Sequence, residues 1–314
     1  MGNVRFALRV CAAACLAMAL PLFAQAQLPR TPDGKPDLQG TWTTRWTTPL
    51  ERMPDWKTLV ITKAEGEALT RAFHARLDAA NPMGVPARDL AGALVVRGET
   101  RSSLIVDPAD GHLPLSEEGR ARRSRTAPNG VTGVDGPEQR SLTERCLMSG
   151  NGFAPILTQP ASNIRQIVQT GAHVVILTES YNQLRIIPLD GSTGPQIPRG
   201  GSSKGSWNGD ALVVETTRFE PGDGIRNAGA GITFPISPNT RITERFTPTG
   251  PDEILYRFTI EDPALYTQAW SAETVMARSN EKIYDYSCHE GDYSMAGILA
   301  GARADERRRN AAGK

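Results

Sequence analysis

Cysteine is scarce in this chain, with four in 314 residues, and two of them, Cys11 and Cys15, fall within the first 26. Neither of the others, Cys146 and Cys288, sits in a CxxC pair, and His74, His112, His173 and His289 are scattered without a ligand spacing. After His289 and Glu290, the position that a zinc-protease helix would fill with a second histidine holds Tyr293. The motif of a metal site is therefore missing. No glycine-rich loop ends in Lys-Ser/Thr, which excludes a phosphate loop. These gaps point to a protein that uses no cofactor and no metal.

Charge of one sign is also missing. The 35 basic residues face 34 acidic ones, and losing Arg5 and Arg9 with an N-terminal leader would leave 33 against 34. No basic surplus exists to neutralise a nucleic-acid backbone, so no nucleic acid is expected as partner. Aromatic residues make up only 6%, whereas 30 glycines and 23 prolines give a loop-rich composition that is still too apolar, at 39% hydrophobic, for disorder.

Residues 1–26 read as a signal peptide: Arg5 and Arg9, an apolar run over 10–23, and Ala24-Gln25-Ala26 before a cleavage point. That run is too short to span a bilayer and nothing later approaches the required length, so no integral membrane segment remains after processing. The expected location is the periplasm or the exterior. There the two remaining thiols have one possible pairing, Cys146 with Cys288, the rival reading being a free nucleophile or metal ligand.

Residues 27–160 read as an N-terminal arm followed by helices and loops. Residues 28–40 are rich in proline and glycine, and Thr41-Trp42-Thr43 is strand-like. The first helix is expected over 62–79, with Thr62 and Glu65 as a capping box and Leu69, Phe73 and Leu77 along one face. A short second helix is expected over 116–124. Residues 161–292 carry the period of strands: 164–170, 173–180, 184–189, 211–219, 241–247, 253–261, 271–278 and 282–287, with Asn208-Gly209 as a hairpin signal. A C-terminal amphipathic helix and tail occupy 293–314, with Met295, Ile298, Leu299 and Ala302 on one face. The fold expected is mainly β, an antiparallel barrel of about eight strands with an N-terminal arm, short helices and a C-terminal helix.

Alternation places Ile254, Tyr256, Phe258 and Ile260 on a core face. Carboxylates break the pattern elsewhere. Glu215 shares a face with Val213 and Phe219, Glu179 with Val175 and Leu177, and Glu244 with Ile242 and Phe246. An inward carboxylate needs an arginine or water, so each marks an ion pair or a wet cavity, and Glu215 is taken as the catalytic candidate on the wall.

Five segments carry a family resemblance: Pro36-Asp37-Leu38-Gln39-Gly40-Thr41-Trp42, Leu142-Thr143-Glu144-Arg145-Cys146, residues 207–219 (WNGDALVVETTRF), Ile260-Glu261-Asp262-Pro263, and residues 286–293 (YSCHEGDY). Together they resemble a large family of exported bacterial proteins of unassigned function. The resemblance spans nearly the whole mature chain and implies a lipocalin-like, or calycin-like, β-barrel with its cysteines paired. Barrels of that kind carry apolar molecules or, in a few cases, act as cofactor-free decarboxylases of phenolic acids.

Two functions follow as expectations. The first is a cofactor-independent lyase, such as a non-oxidative decarboxylase, acting on a small aromatic acid. The second is a non-catalytic carrier of a small aromatic or apolar ligand. If Cys146 and Cys288 are bonded, their α-carbons stand roughly 4.4–6.8 Å apart and bring Glu144 and Arg145 beside Tyr286, His289 and Glu290. In that arrangement Arg145 clamps a carboxylate, His289 or Glu290 moves the proton, Tyr286 orients, and Glu215 faces them. Trp207, Arg218, Tyr256 and Tyr284 are the expected ligand-binding residues. The competing reading has Arg145 paired with Glu290 and Asp292 as a lock on the terminal helix.

Overall fold

The computed structural model describes residues 28–80, 90–125, 133–140, 142–147, 153–159, 163–221, 224–228, 232–286, 288 and 293–312. Nine strands form a nearly closed antiparallel barrel: β1 (Gly40–Thr43), β2 (Ile164–Gln169), β3 (His173–Thr178), β4 (Gln183–Pro188), β5 (Ser202–Asn208), β6 (Ala211–Thr217), β7 (Arg241–Gly250), β8 (Glu253–Glu261) and β9 (Trp270–Arg278). Their order around the wall is β4-β3-β2-β1-β9-β8-β7-β6-β5.

Two expectations need correction. The nine strands fit the expected barrel of about eight, but the barrel is not confined to residues 161–292. The extra strand is β1, taken from the arm, which pairs with β2 on one side and β9 on the other. Without it β2 would present an open edge, and that side of β9 would be covered only near its start, where Ile105–Asp107 pairs with Ser271 and Ala272. Conversely, residues 282–287, expected as a strand, join no ladder where they are described. Residues 279–286 instead run as a strap from the end of β9, held first by Ser279 N donating to Thr41 O at 2.8 Å.

An odd number of strands has a geometric consequence. Every ladder in the order is antiparallel, so β4 and β5, at its two ends, run in the same direction. No ladder joins them. The connection 189–201 fills the seam, with Gly194 N donating to Ser203 O at 2.8 Å. A β-carbon on Gly194 would come within 2.5 Å of Ile186 O, so only glycine lets the backbone pass there.

Inward faces follow the alternation. Leu212, Val214 and Thr216 of β6, Ile242, Glu244 and Phe246 of β7, and Tyr256, Phe258 and Ile260 of β8 are all buried. The few aromatic residues are concentrated at the end where β7 and β9 begin. Phe258 and Trp270 lie 5.6 Å apart, and Phe234, from the hairpin of Ile225–Asn227 and Thr233–Pro235, meets Trp270 at 5.4 Å. That hairpin and the buried Ile156 and Leu157 close this end.

Among the described residues three α-helices decorate the barrel: α1 (Lys63–Ala80), α2 (Glu117–Arg125) and α3 (Ser294–Ala312). The α1 capping box forms as expected. Thr62 N donates to Glu65 Oε2 at 2.7 Å, and Glu65 N donates to Thr62 Oγ1 at 3.3 Å. Leu69, Phe73 and Leu77 are its buried face. Among the described residues no helix is long and apolar enough to cross a membrane.

Candidate functional site

Two polar clusters stand out, one inside the barrel and one at its end. The inner cluster is built on Arg185, which alternation along β4 turns inward between the outward Leu184 and Ile186. Its guanidinium bonds Glu244 of β7 through both nitrogens, Nη1 to Oε1 at 3.0 Å and Nη2 to Oε2. Nη2 also donates to Thr216 Oγ1 of β6, and Nε to Ser203 Oγ of β5, each at 2.9 Å. Tyr256 of β8 donates its hydroxyl to Glu244 Oε1 at 2.8 Å and accepts from Ile156 N at 2.8 Å. Arg185 and Glu244 are 2% and 0% exposed.

Burial works against the charge on Arg185, but the Glu244 carboxylate outweighs it and the guanidinium holds its proton more firmly than usual. Burial first, and then Glu244, push the Tyr256 phenol well above its ordinary range. On β2, Arg165 is also fully buried; burial lowers its pKa to about 10. It donates to Thr44 Oγ1 at 3.0 Å and to Asn163 O and Leu157 O at 3.1 Å.

The geometry of the inner cluster accounts for its chemistry. Arg185 reaches from β4 to β5, β6 and β7, across the one junction where no ladder exists. It stitches the seam, and both oxygens of Glu244 are committed to it.

The outer cluster sits at the β3–β4 turn. Tyr181 and Asn182 both take left-handed backbone angles (φ 61° and 48°), as does Cys146 (φ 54°), an arrangement that residues with a β-carbon adopt only when their surroundings hold them there. Here the surroundings are the 142–147 turn and the strap. Tyr181 donates its hydroxyl to Thr143 O at 2.8 Å and stacks on Tyr286, with ring centroids 4.8 Å apart. Tyr284 N donates to Glu179 Oε1 at 3.1 Å, and Asn182 Nδ2 donates to Asp285 Oδ1. The Cys146–Cys288 disulfide forms, with α-carbons 5.7 Å apart, and ties the 142–147 turn to the strap. Arg145 is half-buried beside it and makes no hydrogen bond or ion pair among the described residues. Glu144 pairs with Arg140 at 2.6 Å.

The expected site residues divide accordingly. Arg145 and Tyr286 both lie at the disulfide corner. His289 and Glu290 fall outside the described residues, as does Asp292. Tyr284 belongs to the strap, with its ring exposed. Trp207 and Tyr256 share an inward row, because the register runs Trp207, Leu212, Phe246, Tyr256 across β5 to β8. Arg218 is exposed just beyond β6, its carbonyl accepting from Gln196 Nε2 at 2.8 Å.

Glu215 corrects the expectation. It faces outward and pairs with Lys204 at 2.9 Å and Arg241 at 3.3 Å. Its neighbours Val214 and Thr216 supply the inward face, so the apolar Val213 on the Glu215 side gave a false phase. Glu179 likewise lies outside the lumen, at the turn. The inward carboxylate is Glu244, and its partner Arg185 was missed because the apolar residues on either side hid its direction.

Among the described residues no group of three or more metal-binding side chains converges. No protein-family model and no curated protein matches the chain.

Proposed function

We propose that this protein is an exported barrel that binds a small aromatic acid at the disulfide corner and carries it without chemical change. The observation that carries this reading is Arg145, half-buried and unpaired among the described residues, next in sequence to the Cys146–Cys288 crosslink and two residues from Thr143, whose carbonyl accepts from Tyr181 of the stacked Tyr181–Tyr286 pair. A guanidinium in that setting suits a planar carboxylate, and the tyrosine faces suit an aromatic ring. The bonding of Glu244 supports carriage over catalysis, since both of its oxygens are already committed to Arg185 and Tyr256. The disulfide suits an oxidising compartment, in keeping with export and with the family that the motifs resemble.

A second reading, the cofactor-free lyase, draws on the Tyr256–Glu244 contact, the acid–base pair inside the barrel. Titrating the mature protein with 4-hydroxybenzoate and 4-hydroxycinnamate by calorimetry separates the two readings, with ultraviolet absorbance followed over hours. Carriage predicts saturable binding, weakened at least about tenfold by Arg145→Ala and less by Arg145→Lys, with an unchanging cinnamate spectrum. Loss of the cinnamate band in wild type, abolished in Glu244→Gln, would move the assignment to the lyase. No binding of either acid would overturn both readings for this ligand class.

A further inference from the structure

We propose that a second site, in the groove where β9 meets the strap, binds a neutral saccharide. The groove has a volume of about 520 Å³, within the range of small-ligand sites, and lies on the outer surface, built from the ends of β1 and β9, the residues that follow them, and Ala91. Its apolar element is Trp46. The indole N–H donates to Val275 O at 2.7 Å, which fixes the ring, and the neighbouring lining residues Ala91 and Ala277 are too small to cover it. A fixed aromatic surface is what the apolar face of a sugar ring packs against.

The rim supplies the complementary polar groups. Arg45 and Glu281 form a two-point pair, including Nη2 to Oε2 at 2.6 Å, in which the half-exposed carboxylate keeps lone pairs for further donors. Asn280 is exposed and makes no hydrogen bond among the described residues, leaving its amide to donate and accept. Ser279 Oγ accepts from Glu281 N at 3.2 Å and so keeps its own proton to donate.

Charge balance decides the ligand class. Arg45 is answered by Glu281 within the groove and Arg278 by Asp252 just outside it at 3.1 Å, so each cation of the lining has its own carboxylate and no unanswered charge is left to attract an anion. Donors and acceptors without net charge, set around an apolar floor, fit a polyhydroxylated neutral ring. A neighbouring groove of about 470 Å³, lined by Glu67, Thr70 and Arg71 of α1, also has Ala91 in its wall, which gives a second sugar unit somewhere to go.

The test is calorimetry on the full mature chain with cellobiose, maltose and N,N′-diacetylchitobiose, and with inorganic phosphate and 4-hydroxybenzoate as charged comparators. At least one disaccharide should bind and change the tryptophan fluorescence. Asn280→Ala and Glu281→Ala should each weaken it at least about tenfold with circular dichroism unchanged, and Trp46→Phe should remove most of the fluorescence response. Should Trp46→Phe not fold, the exposed Asn280→Ala decides. No disaccharide binding up to about 10 mM, binding untouched by Asn280→Ala and Glu281→Ala, or displacement of the sugar by phosphate would each overturn the proposal.

Discussion

The inner and outer polar clusters use similar residues for opposite ends. Arg185, Glu244 and Tyr256 inside the barrel are buried and mutually bonded. Arg145, Tyr181, Tyr284 and Tyr286 at the corner reach solvent in part, and Arg145 makes no hydrogen bond or ion pair among the described residues. The difference follows from what each cluster must replace. Inside, the charged pair stands where a backbone ladder is missing, and a buried charge left unpaired would cost several kcal/mol, so every oxygen of Glu244 is used. At the rim, water can satisfy whatever the protein does not, and a disulfide supplies the rigidity that burial supplies elsewhere. Saturation marks the structural cluster, and spare valence marks the candidate site.

The sharpest way to break this contrast is Glu244→Ala. Leaving Arg185 buried without its partner should lower unfolding free energy by about 3–5 kcal/mol in guanidinium titrations, while the paired change Glu244→Leu with Arg185→Leu should lose much less than the sum of the singles. Additive losses would show that the seam does not depend on the pair.

Next in size is the disulfide, whose residues are 142 apart in sequence. Cys146→Ser and Cys288→Ser should each destabilise by about 2–5 kcal/mol, and the double variant should lose no more than either single. The same titrations measure this. Intact mass after alkylation, with and without reductant, should find both thiols blocked until reduction.

The Tyr256 phenol gives a pH signature. Its folded pKa is raised, so the stability it contributes is complete below the unfolded value, near 10, and is lost as pH climbs beyond that. The stability gap between wild type and Tyr256→Phe should therefore narrow by about 1.4 kcal/mol per pH unit above 10. Measuring the difference cancels the opposite contribution of Arg165, whose lowered pKa favours folding as pH rises. A gap that stays constant to pH 11.5 or so would contradict a phenol raised by burial and by Glu244.

The smallest effect belongs to Glu215. Outward and half-exposed beside Lys204 and Arg241, it should cost less than about 1 kcal/mol as Glu215→Gln, and binding of 4-hydroxybenzoate should not change. A large loss of binding would return Glu215 to the site.

Much of the architecture was legible in the residues because the relevant signals are local. Strand 253–261 was read to its ends, since period-two alternation is a property of neighbours along the chain. The Thr62–Glu65 box gave the start of α1 for the same reason. At the candidate site, the chain narrowed the cysteine pairing to Cys146 with Cys288, and bonded cysteines necessarily bring Arg145 near Tyr286. What misled was phase without closure. Glu215 and Glu244 look alike in sequence, each in phase with apolar residues, Val213 and Phe219 for the first and Ile242 and Phe246 for the second, and which face becomes the lumen depends on how the sheet curls. The strap failed as a strand because β1 already occupied the edge of β9 that 282–287 would have needed.

By itself, then, the chain determined the strand content, the capped helix, the alternation and Cys146 with Cys288 as the sole cysteine pair outside residues 1–26, all of which depend on short-range sterics or simple elimination. Only the tertiary structure decided that β1 would complete the barrel, that nine strands would leave a seam without a ladder, and that Arg185 would close that seam on Glu244. Those outcomes rest on contacts between residues 18 to more than 200 positions apart, whose energies come from burying edges and charges that no local pattern records.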